Sequence, residues 1–144
     1  MLIVGGKENS KRTCPVRILI IDNNELTLFM KTSLLEEHGF QCEVYRSPVS
    51  AAFALARNPD RLAAVITAHR MRGLNGLQVM RLCSYLAPGI PVILVGEDVE
   101  PDKAYEFLKL GGHALLDDPP QPGELLQAIA SASRRQPIFE CLPA

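Results

Sequence analysis

Three short runs of almost uninterrupted aliphatic residues constrain this chain more than anything else in it: VRILII at 16–21, LAAVIT at 62–67 and VILV at 92–95. A strand wetted on one face alternates apolar with polar side chains. These runs do not alternate, so each is expected to be covered on both faces, as strands are in a parallel sheet packed between helices. Breakers isolate them. Asn58-Pro59 precedes the second run, with Gly73 and Gly76 beyond it, and Pro88, Gly89 and Pro91 precede the third.

Between the runs the period changes to that of helices. Asp22-Asn23-Asn24 supplies capping residues for a helix over 25–38, where Leu26, Met30 and Leu34 repeat at i+4 beside Phe29 and Gly39 is placed to stop it. Residues 40–45 alternate Phe40, Cys42 and Val44 with Gln41, Glu43 and Tyr45, a less buried strand. Ser47-Pro48 opens a helix to Arg57. A tight loop over 68–74 follows the second aliphatic run, and a helix from about Asn75 carries Leu77, Met80 and Leu82. Pro101 begins a helix with Ala104, Phe107 and Leu108 on one face, stopped by Gly111-Gly112. A short strand over 114–116, a rigid Asp117-Asp118-Pro119-Pro120 turn, and a helix from Pro122 with Leu125, Leu126, Ile129 and Ala132 inward complete the pattern. The order βαβαβαβαβα specifies a three-layer α/β sandwich. The domain is expected over 16–133, with a loosely held leader at 1–15, whose residues 2–4 offer at most a weak edge strand, and a tail at 134–144.

Composition removes several function classes. The formal net charge of −1 gives no electrostatic reason to expect nucleic acid or an anionic membrane as partner. No apolar stretch reaches a transmembrane length, the opening MLIVGG is too short for a secretory signal, and the cytoplasm is the default location. Cys14, Cys42, Cys83 and Cys141 lie far apart, without zinc or thioredoxin spacing, so Cys42 and Cys83 read as buried reduced thiols. No glycine pattern of the nucleotide-binding kind follows the first strand.

In an open α/β sheet, ligands and chemistry gather beyond the carboxyl ends of the strands. The segments there carry a resemblance. ILIIDNN resembles the first strand and acidic pair of response regulator receiver domains. HRMRGLNG resembles the loop after their phosphoacceptor, and GG-HALLDDPPQPGEL resembles their last strand and the helix after it. The resemblance covers residues 16–132 and implies a flavodoxin-like sheet of order 2-1-3-4-5. It implies two-component (phosphorelay) signalling, in which a histidine kinase phosphorylates an aspartate at the tip of the third strand. There a Mg²⁺ ion is held by that aspartate and the acidic pair, and a hydroxyl and a lysine bind the phosphoryl group.

Position by position, the chain departs from that set. The phosphoacceptor position is Ala68, the hydroxyl position is Gly96, followed by Glu97, and the lysine position is Asp118. Of the acidic pair only Asp22 is a carboxylate, the second being Asn23, and the proline usual after the loop methionine is Arg72. An aspartate would sit comfortably between Thr67 and His69, so a substituted acceptor is one alternative, but restoring it would leave Gly96 and Asp118 unable to bind a phosphoryl group. One carboxylate and an amide make a poor Mg²⁺ site. Asp22 is therefore expected to cap the first helix or to pair with a cation such as Arg70 or Arg72. His69 and Thr67 are expected to point away from whatever Ala68 faces.

The resulting expectation is a pseudo-receiver: not an enzyme, without a resident cofactor, and acting by protein contact with a histidine kinase or regulator. The surface that the resemblance assigns to such contacts, or to a homodimer, is the fourth helix, fifth strand and fifth helix, including Tyr105, Leu108, His113 and Leu115. In receivers an aromatic residue stands at the position of Leu115, which has no polar tip. The alternative is a binding module in which Ala68 and Gly96 leave room for a cation or cationic metabolite beside Asp22, Glu97 and Asp118.

Overall fold

In a computed structural model, which describes residues 16–135, five parallel strands form one sheet flanked by five α-helices. In chain order these are β1 (Arg17–Ile21), α1 (Glu25–Glu37), β2 (Gln41–Tyr45), α2 (Pro48–Arg57), β3 (Ala64–Ala68), α3 (Gly76–Leu86), β4 (Val92–Val95), α4 (Pro101–Lys109), β5 (Ala114–Leu116) and α5 (Pro122–Arg135). The sheet order is β2-β1-β3-β4-β5, the expected 2-1-3-4-5 arrangement. Register runs Ile21 to Thr67, Ala68 to Val95, and Val95 to Leu116, so the ends of β1, β3, β4 and β5 line up along one edge.

Strand periodicity divides the core into two layers. Leu19, Ile21 and Val65 pack with Leu55, Leu77 and Phe107 under α2, α3 and α4. Ile18, Ile20 and Ile66 pack with Leu28, Leu35 and Ile129 under α1 and α5. The aliphatic runs therefore belong to strands buried on both faces, for the reason their lack of alternation indicated.

Helix starts follow the capping chemistry. Asn24 accepts hydrogen bonds from the backbone N–H groups of Leu26 and Thr27, and Ser47 accepts one from Ser50. Asn75 and Gln78 form a reciprocal capping box that holds the start of α3. At α4, Gly112 lies directly under the Phe107 ring, where a Cβ would collide with it.

Four boundaries or faces differ from expectation. The third strand begins at Ala64, because Pro59–Arg61 forms a 3₁₀ turn closed by Leu62, and it continues through Ala68. In α1 the buried residues are Leu28, Lys31 and Leu35, whereas Leu26, Phe29 and Met30 are exposed. This helix carries apolar residues around its whole circumference, so the i+4 series did not identify the face that packs. In α4 only Phe107 is buried, and Leu108 faces solvent. Finally, α5 runs through Arg135, two residues into the expected tail. The leader at 1–15, its possible strand at 2–4, the remaining tail, and Cys14 and Cys141 lie outside the described residues. Among the described residues no helix is long and apolar enough to cross a membrane.

Candidate functional site

The candidate site lies at the carboxyl ends of β1, β3 and β5, on the α1/α5 side of the sheet. Asp22 directly follows β1 and is 2% exposed. By strand alternation it faces the same layer as Ile20, as Ala68 does after Ile66. Ala68 is itself buried, at the last position of β3.

The Asp22 carboxylate is fully engaged. Its Oδ1 accepts from the backbone N–H of Asn24 at 2.9 Å, and its Oδ2 accepts from the Thr27 hydroxyl at 2.6 Å and from Lys31 Nζ at 2.7 Å. The Lys31 ammonium is only 1% exposed. The pairing cation is thus Lys31 of α1, in place of Arg70 or Arg72. Arg70 instead reaches the backbone carbonyl of Asp98 at 3.2 Å. The helix-capping part of the expectation falls to Asn24, two residues on from Asp22.

Asp118 completes the cluster from the β5–α5 turn. Its Oδ1 is buried and has no hydrogen-bond partner. Burial pushes the carboxyl above the usual carboxylate range, the Lys31 charge pulls it back down, and the Asp22 charge raises it further. Lys31 and the prolines after Asp118 also share a small apolar cavity of about 80 Å³, lined by Met30, Leu34, Pro119 and Pro122 as well. The methylene stem of Lys31 thus runs between α1 and the start of α5, with its charge at the inner end.

The opposite face of the same edge is also filled. His69, 3% exposed, packs against Gly96. A Cβ on Gly96 would lie 2.7 Å from the His69 Cβ and 2.8 Å from a Val99 methyl. His69 Nε2 lies 3.6 Å from the Glu100 carboxylate at the start of α4, while its Nδ1 is buried without a partner. Glu100 is held below the usual carboxylate range by its own backbone N–H, then by Lys103, His69 and Arg70. His69 is therefore a packing residue pointing away from the Ala68 side. Thr67 is buried too, its hydroxyl donating to the Ala68 carbonyl at 2.9 Å.

These contacts correct the expected vacant acidic pocket. The space over Gly96 is taken by His69 and Val99, and the acidic centre is taken by Lys31. Glu97 and Asn23 are exposed and do not join Asp22 and Asp118 around the ammonium. A cleft of about 540 Å³ beyond the end of β1 is lined by Asn23, Asn24, Arg46, Ser47, Pro48 and Arg72, so its charged groups are basic. No group of three or more His, Cys, Asp or Glu side chains able to hold a metal gathers among the described residues. The donors at the site do not fit a divalent cation: one carboxylate is bound to an ammonium, and the other stands across from it.

On the expected contact surface, Tyr105 and Leu108 are 68% and 53% exposed. His113 is half-buried, and its backbone N–H donates to the Val92 carbonyl at 2.8 Å. Leu115 is half-buried against the layer under α2–α4, an ordinary packing position.

Lys31 is the residue that the sequence reading missed. Its signal was its phase: it lies at i+3 from Leu28 and i−4 from Leu35, on the face of α1 that packs. A lysine on a core face, nine residues after a buried aspartate, is a candidate partner for it.

The comparisons with known proteins agree with this geometry. The response regulator receiver domain family matches residues 18–130. PilH of Pseudomonas aeruginosa is 33% identical over 117 residues, covering 78% of this chain and 93% of its own length. Two response regulators of Arabidopsis thaliana match at 22% and 23% identity, and the chain spans only 19% and 21% of their lengths. A receiver domain from Clostridium thermocellum superposes with a TM-score of 0.79 at 27% identity, over 83% of this chain and 95% of that one. A CheY-like receiver from Methanospirillum hungatei gives 0.79 at 20% identity, a likeness of fold alone, over 85% and 97%. With its family segments in order, its sheet in the 2-1-3-4-5 arrangement and Asp22 at the tip of β1, the chain belongs to the response regulator receiver domain family of two-component signalling.

Proposed function

We propose that this domain is a pseudo-receiver that signals by protein contact, with no aspartyl-phosphate cycle and no enzymatic step of its own. The observation that carries the reading is Ala68, a buried methyl group where a receiver needs a carboxylate nucleophile. Two further features support it. Gly96 offers no hydroxyl, and its neighbouring space is filled by His69. At position 118 a carboxylate stands where a phosphoryl oxyanion would need a cation, and like charges repel. The alternative of a cation-binding module loses its support, because Lys31 already neutralises the acidic centre.

The working surface in this reading is α4, β5 and α5, where Tyr105 and Leu108 form an exposed apolar pair. Its partner is a histidine kinase, a regulator or a second copy of the domain. The test is incubation with acetyl phosphate and Mg²⁺, followed by intact-mass measurement. No gain of one phosphoryl group is expected, and an alkali- and hydroxylamine-labile adduct at stoichiometric yield would overturn the reading. Replacing Tyr105 and Leu108 together by serine is expected to weaken partner capture or self-association without lowering the unfolding midpoint.

A further inference from the structure

We propose that Lys31 is the resident cation of this pocket, an ammonium tethered to α1 that neutralises Asp22 and faces Asp118, and so keeps divalent metal ions out. The inference rests on the pseudo-receiver reading and adds to it the reason the pocket stays in one state.

Lysines on helices normally lay their stems on apolar surface and carry the charge out to water. Lys31 does the reverse. Its Nζ is buried at the inner end of the side chain, 2.7 Å from Asp22 Oδ2, and leucine or methionine at this position would have filled the core face of α1 without burying a charge. Removing an ammonium from water costs several kcal/mol unless a close counter-charge and hydrogen bonds offset it. Asp22 supplies both. The buried Oδ1 of Asp118 has no hydrogen-bond partner, and Lys31 is the cation whose charge acts on that carboxyl.

A divalent metal at this point would have to displace the ammonium. It would then find Asp22 still bound to Asn24 N–H and the Thr27 hydroxyl. A hard cation of this class needs several oxygen ligands, preferably anionic. The tethered lysine needs one good carboxylate and loses no translational freedom on binding, being part of the chain. The charge that the family resemblance implies just after the last strand, at the position of Asp118, comes here from α1.

The experiment is a Mn²⁺ titration followed by paramagnetic broadening of backbone amide signals, on the whole chain and on its Lys31→Met and Lys31→Arg variants. The wild-type protein is expected to show no saturable broadening at Asp22, Ala68 or Asp118. Lys31→Met, in which the carboxylates lose their ammonium, is expected to gain it, with apparent affinity higher by about tenfold or more. Lys31→Arg keeps the charge and is expected to behave as wild type.

Saturable broadening in the wild type, or its absence in a folded Lys31→Met protein, would overturn the proposal. Should Lys31→Met not fold, the Lys31 side-chain ¹⁵Nζ signal decides. A slowly exchanging ammonium signal in the wild type, lost in Asp22→Asn, supports the assignment, and a rapidly exchanging, solvent-like signal refutes it. The two readings fail separately. Mn²⁺ uptake without a phosphoryl adduct sinks the lysine assignment alone, and an adduct without Mn²⁺ uptake sinks the pseudo-receiver reading alone.

Discussion

The Asp22–Lys31 pair is best measured by a double-mutant cycle built from Asp22→Asn and Lys31→Met. Both groups are almost wholly buried, so the energies of exposed ion pairs do not apply. Losing either partner alone leaves the other charge in the interior, at a cost of about 3–5 kcal/mol. For a domain of this size that lowers the thermal midpoint by about 10–20 °C. The double variant removes both charges of the pair and leaves Asp118, whose side chain is only partly buried, as the one acid at the site. The amide that Asp22→Asn introduces can accept from the Asn24 N–H through its oxygen and donate to the Thr27 hydroxyl through its NH₂. It thereby replaces two of the three bonds that Asp22 accepts. The cost of the double variant is expected to be about 1–2 kcal/mol, well short of the sum of the single costs. A coupling energy of at least about 4 kcal/mol follows. Urea unfolding at neutral pH, with m-values checked for constancy, supplies all four corners. Single costs that add to within about 0.5 kcal/mol would refute the reasoning, since two side chains sharing one buried field cannot be independent.

Three other outcomes are expected. Gly96→Thr should destabilise the domain by about 1–3 kcal/mol, because the new Cβ meets His69 and Val99, and the cost should shrink in a Val99→Ala background, which removes the methyl group it meets; an unchanged urea midpoint would count against the packing described. Asp118 has its carboxyl raised in the folded state, so folding binds a proton there between the unfolded and folded pKa values, and the contribution to stability is lost as pH rises through that window. Asp118→Asn should therefore raise the midpoint at neutral pH, with the gain shrinking as pH falls through the carboxylate range; a gain that grows on acidification would contradict this. Burial pushes the Cys83 thiol up to about 12, and burial together with Glu36 pushes Cys42 up to about 11. Peptide mapping after alkylation at mildly alkaline pH should find both unmodified until denaturant is added.

The fold was legible because its signals are local. Three aliphatic runs without alternation identified the doubly covered strands, and the capping residues at 22–24 and Ser47 placed the starts of α1 and α2. The face of α1 was not legible, since apolar residues surround that helix and only tertiary packing distinguishes Leu28 and Leu35 from Phe29 and Met30. Of the proposed site, Ala68, Gly96 and Asp118 were assigned by position in the receiver pattern, but what surrounds them could not be read. Smaller side chains suggested room. The structure puts His69 over one position and an ammonium beside Asp22, a contact nine residues along the chain and two turns into a helix. An absent group is visible in a sequence by alignment with a pattern, whereas its replacement is visible only once the chain is folded.

The origin of the positive charge on α1 also governs the routes by which this pocket can change. Asp118→Lys, taken alone, would bring a second ammonium toward one buried carboxylate, where like charges oppose each other. The same substitution after Lys31 has become neutral would instead supply Asp22 with its missing counter-charge. The two steps are therefore order-dependent, each altering the sign of the other's effect. Converting this pocket by single replacements means crossing an intermediate with either too many ammonium groups or too few.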